Sequence, residues 1–181
     1  KASEKIPNSK EYAMNVKGME IPMHDPRIGS MGLAYATATR GACHLQAQTA
    51  MKLLPMKEFK LTMSASAAQY IKINQDWNQV LDSLVMCKFG IYPQGPISIS
   101  QVAKYYQLVT GRELGPNGLR RIGEKAFNYE RLYDIREGGI SSKDDTLNKR
   151  YLDSYKTFQE DLEMYYRRRN WTQEGIPRKG I

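Results

Sequence analysis

Histidine and cysteine are scarce in this chain of 181 residues: there are two of each, His24 and His44, Cys43 and Cys87. Two cysteines far apart in sequence exclude a disulfide-stapled scaffold and fit a reducing, cytoplasmic compartment. Cys43 and His44 are adjacent and cannot easily point at one ion, so the four residues make a poor zinc set by spacing. A hydrolytic triad would have to use one of the two histidines, and nothing selects a nucleophile for either. No apolar run approaches the roughly 20 residues of a membrane span. Residues 1–11 are polar and lack the apolar core of a signal peptide. There is no period-2 run of any length, no internal repeat and no low-complexity segment. A Gly-rich phosphate loop, Gly-x-Ser-x-Gly and His-Glu-x-x-His are all missing. With Lys1 in place of an initiator Met, the chain is expected to be a piece of a longer polypeptide.

What is present is an ordinary globular balance, with 41% hydrophobic and 25% charged residues. The net charge of +8 comes from 27 Lys and Arg against 19 Asp and Glu. These charges are spread along helical stretches. The tight cluster Arg167-Arg168-Arg169 falls at an expected helix C-terminus, where the dipole favours cations. No continuous basic face with exposed aromatics is expected, so nucleic acid is not a predicted partner.

The expected fold class is mainly α, a multihelical domain over residues 21–181 with an irregular Gly/Pro-rich N-terminal part, preceded by a lead-in over 1–20. Gly18 to Met23 reads as a short extended run. Pro22 and Pro26 push the residues before them out of the helical region, leaving His24 on a stiff loop. Gly29, Gly32 and Gly41 extend that loop reading. Cys43 to Leu54 can be helical, stopped by Pro55, which would put His44 in a first turn where the dipole lowers its pKa. Ser66 to Cys87 reads as the longest helix, with an apolar stripe through Trp77, Val80, Leu84 and Cys87. Ser98 or Ser100 can cap a helix to Val109, with Val102, Tyr105, Tyr106 and Val109 inward and Gly111 closing it. Asn117 can cap the next, with Leu119, Ile122, Ala126, Tyr129 and Tyr133 as its core face and Gly138-Gly139 ending it. A turn at Asp144 to Leu147, a short segment to Leu152, a helix from Tyr155 to Arg168 and a tail from Gly175 complete the chain. On the residues alone each candidate has an ordinary alternative: His24 as a loop histidine on a nearby carbonyl, His44 on a helix surface, Cys87 as a buried thiol.

Five stretches, taken together and in order, carry a resemblance. They are Ile21-Pro22-Met23-His24-Asp25-Pro26-Arg27; Leu33-Ala34-Tyr35-Ala36-Thr37 running into Arg40-Gly41-Ala42-Cys43-His44; and Gln75-Asp76 followed by Asp82-Ser83-Leu84-Val85-Met86-Cys87. The others are Asp144 to Arg150, and Tyr165-Tyr166 with Trp171 and Gly175-Ile176-Pro177. From Ile21 onward the chain resembles the C-terminal helical region of the aldehyde ferredoxin oxidoreductase family. That family carries a tungsten, sometimes molybdenum, bis-pterin cofactor and a [4Fe-4S] cluster.

The resemblance implies roles. His44 falls on the family histidine implicated in proton transfer at the metal, and His24 on a pocket residue with a supporting acid/base or orienting role. Asp82 falls on a pterin-contacting carboxylate. Cys87 falls on one of the four cluster cysteines. Val85 departs from the family's Gly, and Met86 from its Leu; a glycine there permits close approach of backbone and cofactor. The other cluster cysteines and the catalytic glutamate belong to an N-terminal part outside this sequence, so the chain alone is expected to be apo and inactive. The implied chemistry is oxidation of an aldehyde to a carboxylic acid, with electrons passed to ferredoxin or a similar acceptor. Competing readings are a different substrate within the family, such as an aromatic acyl thioester, and a non-catalytic helical interaction module.

Overall fold

The computed structural model describes residues 2–28, 30–47, 66–91 and 96–178. The class is mainly α. Among the described residues there are seven α-helices and one two-stranded antiparallel ribbon. In chain order these are α1 (Ala2–Lys5), β1 (Asn15–Val16), β2 (Met19–Glu20), α2 (Met31–Thr37), α3 (Ala67–Ser83), α4 (Ile99–Thr110), α5 (Pro116–Gly138), α6 (Lys149–Leu152) and α7 (Phe158–Arg169). The ribbon sets Asn15 opposite Glu20 and Val16 opposite Met19. No described helix is long and apolar enough to cross a membrane.

Helix α3 is the axis. Ser66 caps it, accepting from the Gln69 amide. Its stripe of Trp77, Val80 and Leu81 packs on Ile99 and Val102 of α4 and Leu119 of α5. The apolar stripe accounts for one face, yet every residue from Ile71 to Leu81 is buried, including Lys72, Asn74, Gln75, Asp76, Asn78 and Gln79. The polar face is covered because α5, α7 and α2 pack around it and bring partners for Lys72, Gln75 and Asp76, while Asn78 bonds Asn74 within the helix. Asp76 accepts from Arg169, from Lys72 at 3.0 Å and from Arg120 at 3.2 Å. Gln75 donates to Thr37 Oγ1 at 3.1 Å and accepts from Tyr165 Oη at 2.5 Å and Arg169 Nη2 at 2.8 Å. Arg169 is therefore no exposed dipole cation; it is fully buried, with its guanidinium over Phe127.

A second buried charge cluster holds the C-terminal segment. Arg131 grips Asp145 through two bonds of 2.9 and 2.8 Å and donates to the Gly175 carbonyl. Tyr166 Oη and Lys17 Nζ complete Asp145, at 2.6 and 2.8 Å. Trp171 stacks under Arg131 and bridges to Pro177, so the expected tail folds back on α7 as far as residue 178. Val16 and the side chain of Lys17 are buried in the same core.

Several expectations change. Residues 31–37 are a helix, every residue of it buried, not a loop. Gly32 is there for packing, since a Cβ would lie 3.0 Å from Leu147 Cδ1 and from the Pro26 carbonyl. In α4 Ser98, one of the two expected caps, is the N-cap and forms a capping box with Gln101, and Gly111 closes the helix at φ +70° as expected, but Tyr105 and Val109 are exposed. The buried residues of that helix are Ile99, Val102 and Ala103, and Tyr106 packs partly buried against the same cluster. Helix α5 starts at Gly115 and Pro116, not Asn117. Its buried face runs Leu119, Gly123, Phe127, Arg131, while Ile122, Tyr129 and Tyr133 face outward, the tyrosines 60% and 59% exposed. Glycine and arginine carry that face, and an apolar count passes over both.

Gly123 is where α5 meets α3. A Cβ there would sit 2.0 Å from the Asp76 carbonyl oxygen. Gly123→Ala is expected to destabilise the fold by about 3 kcal/mol or more, as overpacking against unyielding backbone does. Gly115→Ala, with open space around it, is expected to cost no more than about 1 kcal/mol, the worth of a glycine over an alanine at an N-cap. Urea melts of the two variants compare them.

Candidate functional site

Two buried hydrogen bonds launch the site. Thr37, last in α2, donates to Leu33 O and accepts from Gln75 of α3. Directly after α2 the chain enters a turn, residues 39–47, that carries Arg40, Cys43 and His44. Gly41 in this turn has φ +92°, and a Cβ would lie 2.5 Å from the Val16 carbonyl. Only glycine suits that conformation and that approach. Residues 43–47 form turns, not the expected helix; the rest of that expected helix, from residue 48, and its stop at Pro55 lie outside the described residues. The dipole account of His44 therefore does not apply to the described turn.

His24 comes from the stiff loop between Pro22 and Pro26, and its carbonyl accepts from the buried Tyr35 Oη at 2.9 Å. Its ring meets that of His44 at 4.9 Å between centroids, tilted by 57°. The His44 pKa is held below the usual 6.5, first by burial, then by the neighbouring His24 and Lys88. Burial and like charge both disfavour the imidazolium.

The other two candidates ride on the end of α3. The helix stops at Ser83, between Asp82 and Cys87. The stop is a Schellman motif: Met86 N–H donates to Leu81 O at 2.9 Å and Val85 N–H to Asp82 O at 3.1 Å. Val85 takes the left-handed position, φ +54°, with its side chain 92% exposed. This position favours glycine because of backbone conformation. Cys87 follows, exposed and outside any disulfide; it is not a buried thiol at the end of the apolar stripe.

Lys88 joins the two halves. Its ammonium donates to Leu45 O in the histidine turn at 2.7 Å and to Asp82 Oδ2 at 3.0 Å. Arg40 lies 3.7 Å from the same carboxylate oxygen. Asp82 also edges a cleft of about 690 Å³ lined by Thr39, Arg40, Tyr129, Glu130 and Tyr133; His24, His44 and Cys87 are not among its lining residues. Asp134 closes the cleft's acidic end, its carboxyl pushed up by burial and by Glu130. His24 and His44 thus make direct contact, Asp82 joins their turn through Lys88, and Cys87 immediately precedes Lys88. Lys88 and Glu130 carried no motif signal; the neighbourhood of Cys87 was the sole hint to the former.

The whole chain, residues 1–181, matches the family model described as aldehyde ferredoxin oxidoreductase, domains 2 & 3. The chain belongs to the aldehyde ferredoxin oxidoreductase family. Among its relatives is a tungsten-containing aldehyde ferredoxin oxidoreductase of Pyrococcus horikoshii, 31% identical over 96% of this chain and 31% of the relative. Relatives of the same name from Thermococcus kodakarensis and Pyrococcus furiosus are each 30% identical, over 93% and 94% of this chain and 30% of their own length. The chain therefore spans about a third of the length of the curated relatives it matches.

The chemistry of Asp82 and Cys87 is compatible with a cofactor that takes a carboxylate and a thiol. Asp82 is a partly exposed carboxylate, an acceptor for heterocycle N–H groups. Cys87 is an accessible thiol. Among the described residues no group of three or more His, Cys, Asp or Glu could hold a metal ion, so any cluster here needs ligands from outside them.

Val85→Gly is expected to stabilise the fold by about 1–2 kcal/mol, the cost of a left-handed L-residue. Ser83→Gly, in the last helical turn, is expected to do the opposite. Thermal melts of both variants check this.

Proposed function

We propose that this chain forms the proton-handling face and part of the cofactor seat of an oxidoreductase that turns aldehydes into carboxylic acids. The observation that carries the proposal is the pairing of His24 with His44 beside Lys88 and the Asp82 carboxylate. An aldehyde hydrate loses two electrons and two protons on becoming the acid, so a base must stand ready. His44, with its pKa below the ordinary histidine value, is neutral near pH 7, and an imidazole nitrogen can take a proton. His24, whose ring lies against that of His44, orients it.

Asp82 would accept pterin N–H groups, and the Cys87 thiolate would be one of four cluster ligands. When bound, a tungsten or molybdenum bis-pterin centre supplies the two-electron acceptor, and a [4Fe-4S] cluster the single-electron outlet to a ferredoxin-like partner. The remaining ligands would come from other parts of the polypeptide, which would leave the 181-residue chain alone inactive. The family membership and the tungsten in the relatives' names support this reading.

The test uses the full-length protein and aldehyde-dependent reduction of a viologen dye. His44→Ala is expected to lower kcat by about 10²–10⁴-fold, the usual worth of a general base, while metal content is kept. The acid limb of the kcat/KM profile is expected below pH 6.5, because the base is lost only as pH falls through its depressed pKa, and it should vanish in the variant. Unchanged kcat in His44→Ala would contradict the assignment.

A further inference from the structure

His44 sits in a turn without regular backbone structure, and long-range side chains set where that turn lies. At its two ends, Thr39 and Gln46 close onto one carboxylate. Thr39 Oγ1 donates to Glu130 Oε2 at 2.8 Å; Gln46 Nε2 donates to Thr39 Oγ1 at 2.7 Å and to Glu130 Oε2 at 3.2 Å. Thr39 and Gln46 are buried, and their anchor stands on α5, 91 and 84 residues further along the chain. The residue after His44 is held from the other direction, where Lys88 Nζ donates to the Leu45 carbonyl and, with the same ammonium, to Asp82.

We propose that Glu130 and Lys88 are positioning residues for His44: Glu130 closes the turn that carries the imidazole, and Lys88 sets its distance from the Asp82 carboxylate. The proposal rests on the reading of His44 as the proton-transfer group. Neither residue needs to touch substrate. Glu130 accepts two neutral donors, which a carboxylate and an amide oxygen can both do. Lys88 spans two oxygen acceptors with one head group, so truncating it frees the histidine turn and the end of α3 from each other. A catalytic group misplaced by about 1 Å can lose on the order of 10²-fold in rate, so the anchors matter to chemistry well before they matter to folding.

The test uses the full-length protein with Glu130→Ala, Glu130→Gln, Lys88→Met and Lys88→Arg. Three quantities are read: acylation of His44 by diethyl pyrocarbonate, followed by peptide mass spectrometry; kcat and KM; and the melting temperature. Glu130→Ala and Lys88→Met are expected to raise the His44 acylation rate several-fold and to lower kcat by about 10²-fold at near-constant KM. Glu130→Gln and Lys88→Arg are expected to restore both. Should Glu130→Ala fail to fold, Thr39→Val removes only the hydroxyl link and takes its place. Acylation rates unchanged in the truncated variants, or conservative variants that fail to rescue, would overturn the proposal. Acylation needs no turnover, so the two layers separate. Faster acylation with intact kcat would refute the proton role of His44. Unchanged acylation, with activity lost in His44→Ala, would refute only the anchoring.

Discussion

One buried carboxylate, Asp76, determines how the helices can assemble. It lies in the middle of α3, fully buried, and answers three cations from three places: Lys72 from its own helix, Arg120 from α5 and Arg169 from the end of α7. Desolvating so many charges is costly and is offset only by close geometry and full hydrogen bonding. Gln75 supplies the rest, joining Tyr165 and Arg169 of α7 to Thr37 of α2. Gly123 lets α5 come close enough for this arrangement, its Cα set against the Asp76 carbonyl. The network adds specificity more than net stability: α3 has one rotational setting in which both polar residues are answered.

The site inherits that setting from two sides. Thr37 ends α2 and opens the turn that carries Arg40 and His44, so the Gln75 bond fixes where the turn departs. Two turns of helix beyond Asp76, α3 ends in a Schellman cap that turns the chain from Asp82 toward Cys87 and Lys88. Lys88 then reaches back to the turn. The same buried layer places both halves, which is why Gln75-Asp76 can sit in a family-like motif with no chemistry of their own.

Several caps and breaks were readable from residue type: a serine cap before α4, Gly111, Gly139 and the close of α5 follow from backbone rules that act locally. The candidate residues were named by their motifs, but not their neighbours. No periodicity could announce that rings 20 positions apart, His24 and His44, lie 4.9 Å from each other. Nothing in the sequence pattern placed the polar face of α3 inside; it is buried because partners for Lys72, Gln75 and Asp76 arrive from α5, α7 and α2. Two readings failed for one reason, that residue type stood in for burial. The tyrosines of α5 face out because Gly123 and Arg131 face in. A glycine-punctuated stretch is helix α2 because Gly32 is needed for packing. Val85 was read as a matter of cofactor contact, whereas its backbone gives the glycine position a conformational reason.

The central proposal is that this chain is one side of a tungsten or molybdenum pterin site with a single cluster cysteine. The most direct measurement is the metal and iron content of the full-length protein after anaerobic purification. The account predicts tungsten or molybdenum together with about four iron per chain, as one [4Fe-4S] cluster requires. Loss of that iron is expected in Cys87→Ser. Full-length protein that holds neither metal nor iron, or that keeps its iron without Cys87, would contradict it.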